Sequence, residues 1–166
     1  MCGIVGFWRK PADQSTDWLK ETAKTMADTL VHRGPDDSGT WVDEEVGVAF
    51  GHRRLSIIDV SLNGHQPMVS PDGRFVIVYN GEVYNFPKLR QQLEKLRYRF
   101  KSNSDTEVML ASFTQWGVKQ SVKRFNGMFA FAVWDRRDRL LWLARDRIGE
   151  KPLYYGVQNG VFYFSS

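Results

Sequence analysis

MFAFAVW, at residues 128–134, has the pattern of a strand that is apolar on both faces. Because side chains alternate along a strand, one face carries Phe129, Phe131 and Val133, and the other carries Met128, Ala130, Ala132 and Trp134. A second apolar run, LLWLAR at 140–145, follows after a short polar turn, which favours antiparallel pairing. A sheet buried on both faces needs a covering layer on each. The stretch therefore predicts an α+β domain with sheets sandwiched between helices.

The remaining chain supplies further strands and helices around this hairpin. Clusters of β-branched and aromatic residues predict strands at 2–8, 46–60, 75–79, 153–157 and 161–165. Apolar residues at helical spacing predict helices at 17–31, 86–97 and 105–116. Proline and glycine predict loops at 32–39 and 61–73, and Asn80-Gly81 predicts a turn that ends strand 75–79. Ser104 and Glu107 predict a capping box at the start of the third helix, and Gly117 predicts its end.

Composition narrows the class of protein. The 166 residues fit one globular domain, with 42% hydrophobic and 25% charged residues. No apolar run is long enough to cross a bilayer, and we expect no membrane association. The net charge is +4, but the basic residues are interleaved with acids, so we expect no nucleic-acid partner. One cysteine and three histidines show no metal-ligand spacing, and a lone cysteine favours a reducing, cytoplasmic location.

Cys2 is the first candidate for chemistry because it follows Met1 directly. Removal of Met1 would give Cys2 a free α-amine, whose pKa is about 7.7–8.0, so part of it is neutral at physiological pH. Such an amine can take the proton of the thiol, and one residue then supplies both nucleophile and base. The alternative for a lone cysteine is a small buried hydrophobe.

Seven motifs occur in this order along the chain: MCGIVGF, HRGPDDSG, HRRLSIID, YNGEVYN, SDTEV, GMFAFAVWD and RDRIGEKPLYYG. Together they resemble the N-terminal domain of glutamine-dependent asparagine synthetases, a class II glutamine amidotransferase. The resemblance implies the N-terminal-nucleophile hydrolase fold, a four-layer αββα sandwich with two antiparallel sheets between helical layers. It also implies that residues 1–166 form the glutaminase domain. The ATP-dependent synthetase domain, which would bind ATP and Mg²⁺, is absent from this chain.

The same resemblance assigns the residues that would act on glutamine. Cys2 would be the nucleophile, with Asn80 and Gly81 as oxyanion donors. Arg54 would bind the α-carboxylate, while Asp105 and Glu82 would bind the ammonium. No cofactor or metal is expected in this domain.

Each of these assignments has a competing explanation. Arg53 competes with Arg54, although strand alternation would point the two to opposite faces. Asp105 could simply favour the helix dipole, Glu82 could be a surface acid, and Asn80-Gly81 could be an ordinary hairpin turn.

Several questions about the larger protein stay open at this stage. Asp146, Arg147 and Lys151 could face a second domain or form a structural turn. The chain stops directly after a strand, so we expect a longer protein, and exposed Leu153, Tyr154 and Tyr155 would favour a homodimer of the isolated domain. The alternatives to asparagine synthesis are another ammonia acceptor, for instance in surface-polysaccharide modification, or a non-catalytic interaction domain.

Overall fold

The computed structural model describes residues 1–10, 13–56 and 62–166. Nine strands occur in these residues: β1 (Gly3–Arg9), β2 (Asp37–Asp43), β3 (Val48–Arg54), β4 (Met68–Val69), β5 (Phe75–Val83), β6 (Gly127–Asp135), β7 (Leu140–Arg145), β8 (Tyr154–Gln158) and β9 (Val161–Ser165). Four α-helices accompany them: α1 (Thr16–Asp28), α2 (Phe86–Lys95), α3 (Asp105–Trp116) and α4 (Val118–Arg124). Short 3₁₀ turns occupy Val31–Arg33 and Leu62–Gly64.

The strands form two antiparallel sheets that stack between helices. The first sheet has the order β2-β3-β1-β9-β8 and the second the order β4-β5-β6-β7. Helix α1 packs on the first sheet, and α3 packs on the second with α2 and α4 beside it. The layers are therefore helix, sheet, sheet and helix, and the predicted αββα sandwich is confirmed.

The two faces of β6 belong to different cores, as its alternation predicts. Phe129, Phe131 and Val133 pack in the core between the second sheet and its helices. Ala130, Ala132 and Trp134 pack in the core between the two sheets. Burying apolar area on both faces stabilises this strand in the interior, at roughly 25 cal/mol per Å². This double burial fixes β6 beside β5, which carries Asn80 and Gly81.

The structure corrects the predicted end of the strand at 75–79. Instead of turning at Asn80-Gly81, β5 continues to Val83 and pairs with β6 throughout, with Gly81 opposite Phe129. A Cβ atom at Gly81 would collide with the carbonyl oxygen of Met128, so the close approach of the two strands requires glycine here. The close packing of β5 against β6 therefore accounts for the glycine, and the explanation of Asn80-Gly81 as a hairpin turn is wrong.

Other boundaries also differ from the prediction. The loop predicted at 32–39 contains the start of β2, and the loop at 61–73 contains β4. The helix predicted at 17–31 ends at Asp28, and α4 was not predicted. Residues 57–60 of the strand predicted at 46–60 lie outside the described residues.

The start of α3 is capped differently from the predicted box. The Ser104 side chain accepts a hydrogen bond from the Thr106 N–H, as an N-cap should. Glu107 instead accepts from the backbone N–H groups of Lys101 and Ser102. The acid therefore anchors the preceding loop, and the reciprocal half of the capping box is absent.

Candidate active site

One cavity of about 340 Å³ lies where β1 begins, β3 ends and α3 begins. All six residues predicted for glutamine chemistry line it: Cys2, Arg54, Asn80, Gly81, Glu82 and Asp105. They come from four separate elements, so the fold, and not proximity in sequence, brings them together. The cavity thus combines a thiol, amide donors, a guanidinium and two carboxyl groups.

Cys2 lies at the entry to β1, held against the end of β3. Its Sγ accepts a hydrogen bond from the Leu55 N–H at 3.4 Å and lies 3.7 Å from the Leu55 carbonyl oxygen. Burial raises the pKa of the thiol above its usual value, while the Leu55 contact, the positive N-terminus and Arg54 oppose this rise. Met1 precedes Cys2 in this structure and also lines the cavity. The N-terminal residue of the chain therefore lies in the cavity wall, next to Cys2.

Arg53 and Arg54 point to opposite faces of β3, as strand alternation predicts. Arg54 is 7% exposed and lines the cavity. Arg53 forms an ion pair with Asp28 at the end of α1. The geometry therefore favours Arg54 over its neighbour as the cation that a ligand in the cavity would meet.

Asp105 occupies the first turn of α3 and is 4% exposed. One of its carboxyl oxygens accepts hydrogen bonds from the Tyr79 hydroxyl at 2.7 Å and from the Val83 N–H at 3.0 Å. Burial raises the pKa of this carboxyl, although these two donors and the Thr106 N–H lower it in part. A buried carboxylate next to a cavity is stabilised further when a cation enters.

Asn80 presents a polar donor that has no partner. Its side chain is 1% exposed, and among the described residues nothing accepts a hydrogen bond from its Nδ2. Such a buried donor costs free energy unless a ligand or water satisfies it, by roughly 1–3 kcal/mol. Because Asn80 lines the cavity beside Gly81, this donor is available to an oxygen atom bound there.

The cavity also includes residues that the sequence did not single out. Gln66, Tyr79, Thr106, Met128 and Lys151 all contribute to its wall. Gln66 comes from a segment predicted to be a loop, and nothing in its local pattern marks it. Tyr79 alternates away from Asn80 along β5, and its hydroxyl donates a hydrogen bond to Asp105.

The RDRIGEK segment is a turn built around a buried acid. Asp146 accepts hydrogen bonds from the N–H groups of Phe129, Ile148, Glu150 and Lys151. Burial raises the pKa of the Asp146 carboxyl but these donors outweigh it, so the pKa is lowered. Asp146 therefore fits the structural-turn explanation, and the turn carries Lys151 into the wall of the cavity, not toward an outer face.

Residues 1–10, 13–56 and 62–166 hold no group of three or more His, Cys, Asp or Glu residues that could bind a metal ion. No helix in these ranges is long and apolar enough to cross a membrane.

Comparison with solved structures bears on the fold. The chain is similar to a glutamine phosphoribosylpyrophosphate amidotransferase from Bacillus subtilis, with a TM-score of 0.80 and 22% identity. The match covers 99% of this chain and 41% of that one. At this level of identity the likeness shows a common fold, and that fold agrees with the two antiparallel sheets between helical layers described above.

Comparison of sequences gives the family. Asparagine synthetase [glutamine-hydrolyzing] 1 of Bacillus subtilis is 47% identical over 167 residues, which is 100% of this chain and 26% of that protein. Amidase chry2 of Gibberella zeae is 38% identical over 164 residues, which is 95% of this chain and 24% of that protein. The chain thus spans about a quarter of the length of these relatives. A model of the glutamine amidotransferase domain matches residues 1–166, and the chain belongs to this family.

Proposed function

We propose that this domain hydrolyses glutamine to glutamate and ammonia with Cys2 as nucleophile. The observation that carries the proposal is the presence of the Cys2 thiol and the unpartnered Asn80 amide in one cavity. A nucleophile and a nearby donor for a developing negative oxygen are the two essential parts of an acyl-transfer site.

The chemistry begins once Met1 has been removed. The free α-amine of Cys2 takes the thiol proton, and the thiolate attacks the side-chain amide carbon of glutamine. The carbonyl oxygen becomes an oxyanion, stabilised by Asn80 Nδ2 and Gly81 N–H. The protonated amine then gives its proton to the leaving nitrogen, which departs as ammonia. A water molecule, deprotonated by the same amine, cleaves the glutamyl thioester, so that glutamate leaves and the thiol is restored.

The charges of the cavity match the backbone end of glutamine. Arg54 suits the α-carboxylate, because a guanidinium can form two parallel hydrogen bonds with it. Asp105 and Glu82 suit the ammonium, and Asp105 is held in place by Tyr79 and Val83. Free glutamine is thereby distinguished from glutamine within a peptide, which lacks both charges.

The test of the function is glutamine turnover by the wild type and by Cys2→Ala. We expect glutamate and ammonia from the wild type and a loss of at least about 10³-fold in the variant, since the reaction then has no nucleophile. Equal turnover in the two proteins would exclude Cys2 as the nucleophile, and no turnover by the wild type would favour a non-catalytic interaction domain.

The role of the α-amine needs a separate test. A form that keeps Met1, verified by intact mass, should be inactive because its Cys2 nitrogen is part of a peptide bond. Matched preparations with and without Met1 isolate this single difference. Turnover by the Met1-containing form would contradict the amine as base.

The fate of the ammonia rests on the relatives. Because the chain is similar to asparagine synthetases that are much longer, we infer that a C-terminal synthetase domain uses the ammonia to make asparagine from aspartate, with ATP and Mg²⁺ bound there. The resemblance to Amidase chry2 supports a second candidate, the same glutaminase serving another acceptor. Glutamine-dependent, ATP-dependent asparagine formation by the longer protein would decide between them. A cytoplasmic location accompanies the proposal, since the only cysteine is the nucleophile.

A further inference from the structure

The edge of the second sheet is incomplete beside the candidate active site. β4 pairs with β5 at two positions only, Met68 with Ile77 and Val69 with Val76. Continuing this register would place Gln66 opposite Tyr79, but within the described residues no strand pairs with Tyr79 on that side. The main chain of β5 therefore needs other partners at the point where it enters the cavity wall.

Two side chains supply those partners. The Tyr79 N–H donates to Gln66 Oε1 at 2.7 Å, and the Tyr79 carbonyl oxygen lies 3.1 Å from His52 Nε2. His52 comes from β3 in the opposite sheet and is fully buried, and Gln66 is 5% exposed. Gln66 also donates through Nε2 to the Thr106 hydroxyl at 3.5 Å, one residue beyond Asp105.

The proton of His52 can be placed from these contacts. A carbonyl oxygen only accepts, so Nε2 must carry the hydrogen, and Nδ1 is then a bare acceptor. Among the described residues nothing donates to this buried Nδ1. Burial lowers the pKa of His52 to about 4, which keeps the ring neutral near pH 7.

These side chains hold the two peptides that flank Tyr79: Gln66 accepts from the N–H of the Val78–Tyr79 peptide, and His52 contacts the carbonyl of the Tyr79–Asn80 peptide. The Tyr79 carbonyl belongs to the second peptide, so a fixed carbonyl fixes the plane from which the Asn80 side chain departs. We propose that His52 and Gln66 are positioning residues, which replace a missing strand and hold the peptides on either side of Tyr79 so that Asn80 presents its amide to the oxyanion. The inference rests on the proposed glutaminase function and adds two residues to it: His52, which is fully buried, and Gln66, which lies in the cavity wall and contacts the main chain of β5.

The decisive experiment compares His52→Gln with His52→Met in the 166-residue chain. The two side chains have similar length, but only glutamine can donate to the Tyr79 carbonyl. We expect His52→Met to lower kcat for glutamine by about tenfold or more, with KM changed less than about threefold, because a misplaced oxyanion donor acts on the transition state. His52→Gln should stay within about threefold of the wild-type kcat.

Alkylation of Cys2 by iodoacetamide is the second readout. This reaction needs the thiolate but forms no oxyanion, so its rate should be the same in the wild type and in both variants. Gln66→Met removes the acceptor for the Tyr79 N–H and should lower kcat in the same way. If His52→Met does not fold, the kcat and the alkylation rate of Gln66→Met test the inference instead.

Three results would overturn the inference: a wild-type kcat in His52→Met, an equal loss in His52→Gln, or alkylation that slows together with kcat. Failure of the proposed function itself would look different, because the wild type and Cys2→Ala would then turn over glutamine equally, before any His52 variant is made.

Discussion

At the scale of single residues, the site separates neighbours that look equivalent in sequence. Arg53 and Arg54 are adjacent, yet one pairs with Asp28 on the outer face of its sheet and the other lines the cavity. Tyr79 and Asn80 both line the cavity but in different roles, since the Tyr79 hydroxyl donates to Asp105 while the Asn80 amide nitrogen has no acceptor among the described residues. Alternation along β3 places the two guanidinium groups on opposite faces, so only one of them can meet a ligand in the cavity.

The arginine pair gives the first prediction at this scale. Arg54→Ala should raise KM for glutamine by about 30-fold, or about 2 kcal/mol, because a charge-assisted contact to the α-carboxylate is lost. Arg53→Ala is the matched control and should lower the thermal midpoint while KM stays within about threefold, since it loses only the pair with Asp28. If steady-state kinetics show the rise in KM for Arg53→Ala and not for Arg54→Ala, the α-carboxylate of glutamine is bound by Arg53.

Asp105 gives a prediction about pH. Only its ionised form pairs with the glutamine ammonium, so binding should weaken as pH falls through the pKa of the carboxyl. Burial raises that pKa, and the loss should therefore begin above the ordinary value of 3.8. Calorimetric titration of glutamine into Cys2→Ala at several pH values measures binding without turnover.

The control for this measurement is the double variant Cys2→Ala with Asp105→Asn, which should bind weakly at every pH and show no such dependence. An acid-induced loss of affinity that survives in the double variant would mean that another group is titrating.

At the scale of elements, a strand or helix could be predicted from the sequence where its own residues show a clear apolar pattern. β6 and β7 were predicted because apolar residues fill both faces, whereas β2 begins with Asp37, Ser38 and Gly39, which look like a loop. Those residues form a strand only because β3 offers a partner across a tight turn. Helix α4 was missed for a related reason, since its seven residues are mostly polar and bury only Val118 and Ser121.

The candidate site shows the same division. Cys2, Arg54, Asn80, Gly81, Glu82 and Asp105 stand in recognisable motifs, and the fold places all six in one cavity. Gln66 and His52 act through contacts with the main chain of β5, which comes from another part of the sequence. No local pattern encodes such a contact, because it exists only once β3, β4 and β5 have taken their places.

The turn between β7 and β8 supplies a prediction at this scale. Asp146→Asn should lower the free energy of unfolding by about 2–3 kcal/mol, because hydrogen bonds from several N–H groups to a charged acceptor are weakened. Glu45→Gln removes an exposed acid that lies 4.0 Å from Arg139, and it should change stability by less than about 0.5 kcal/mol. Urea unfolding of both variants makes the comparison, and equal effects would show that Asp146 does not hold the turn.

At the scale of the whole molecule, one edge of the first sheet is apolar and uncovered. β8 is the outermost strand and exposed throughout, with Tyr155 at 72% and Val157 at 71%. Ile148, in the preceding turn, is exposed as well. Exposed edges with apolar side chains favour association with another chain.

We expect the isolated chain to self-associate through this edge. Light scattering after size-exclusion chromatography should show a mass that rises with concentration, and Val157→Lys should return the protein to the monomer. Gln158→Lys adds the same charge to the opposite face of β8 and should leave the association unchanged. A concentration-independent monomer for the wild type would contradict the prediction.

The place of β9 beside β1 has a consequence for the order of events during synthesis. β1 lies between β3 and β9, and the Ser166 N–H donates to the Ile4 carbonyl oxygen. The first strand therefore cannot complete its pairing until the ribosome has released residues 161–166. At a synthesis rate of about 5–20 residues per second, β1 lacks its β9 partner for roughly ten to thirty seconds after its own synthesis. Met1 is 54% exposed in the folded chain, so it is open to removal both while the chain is growing and after the last strand has paired.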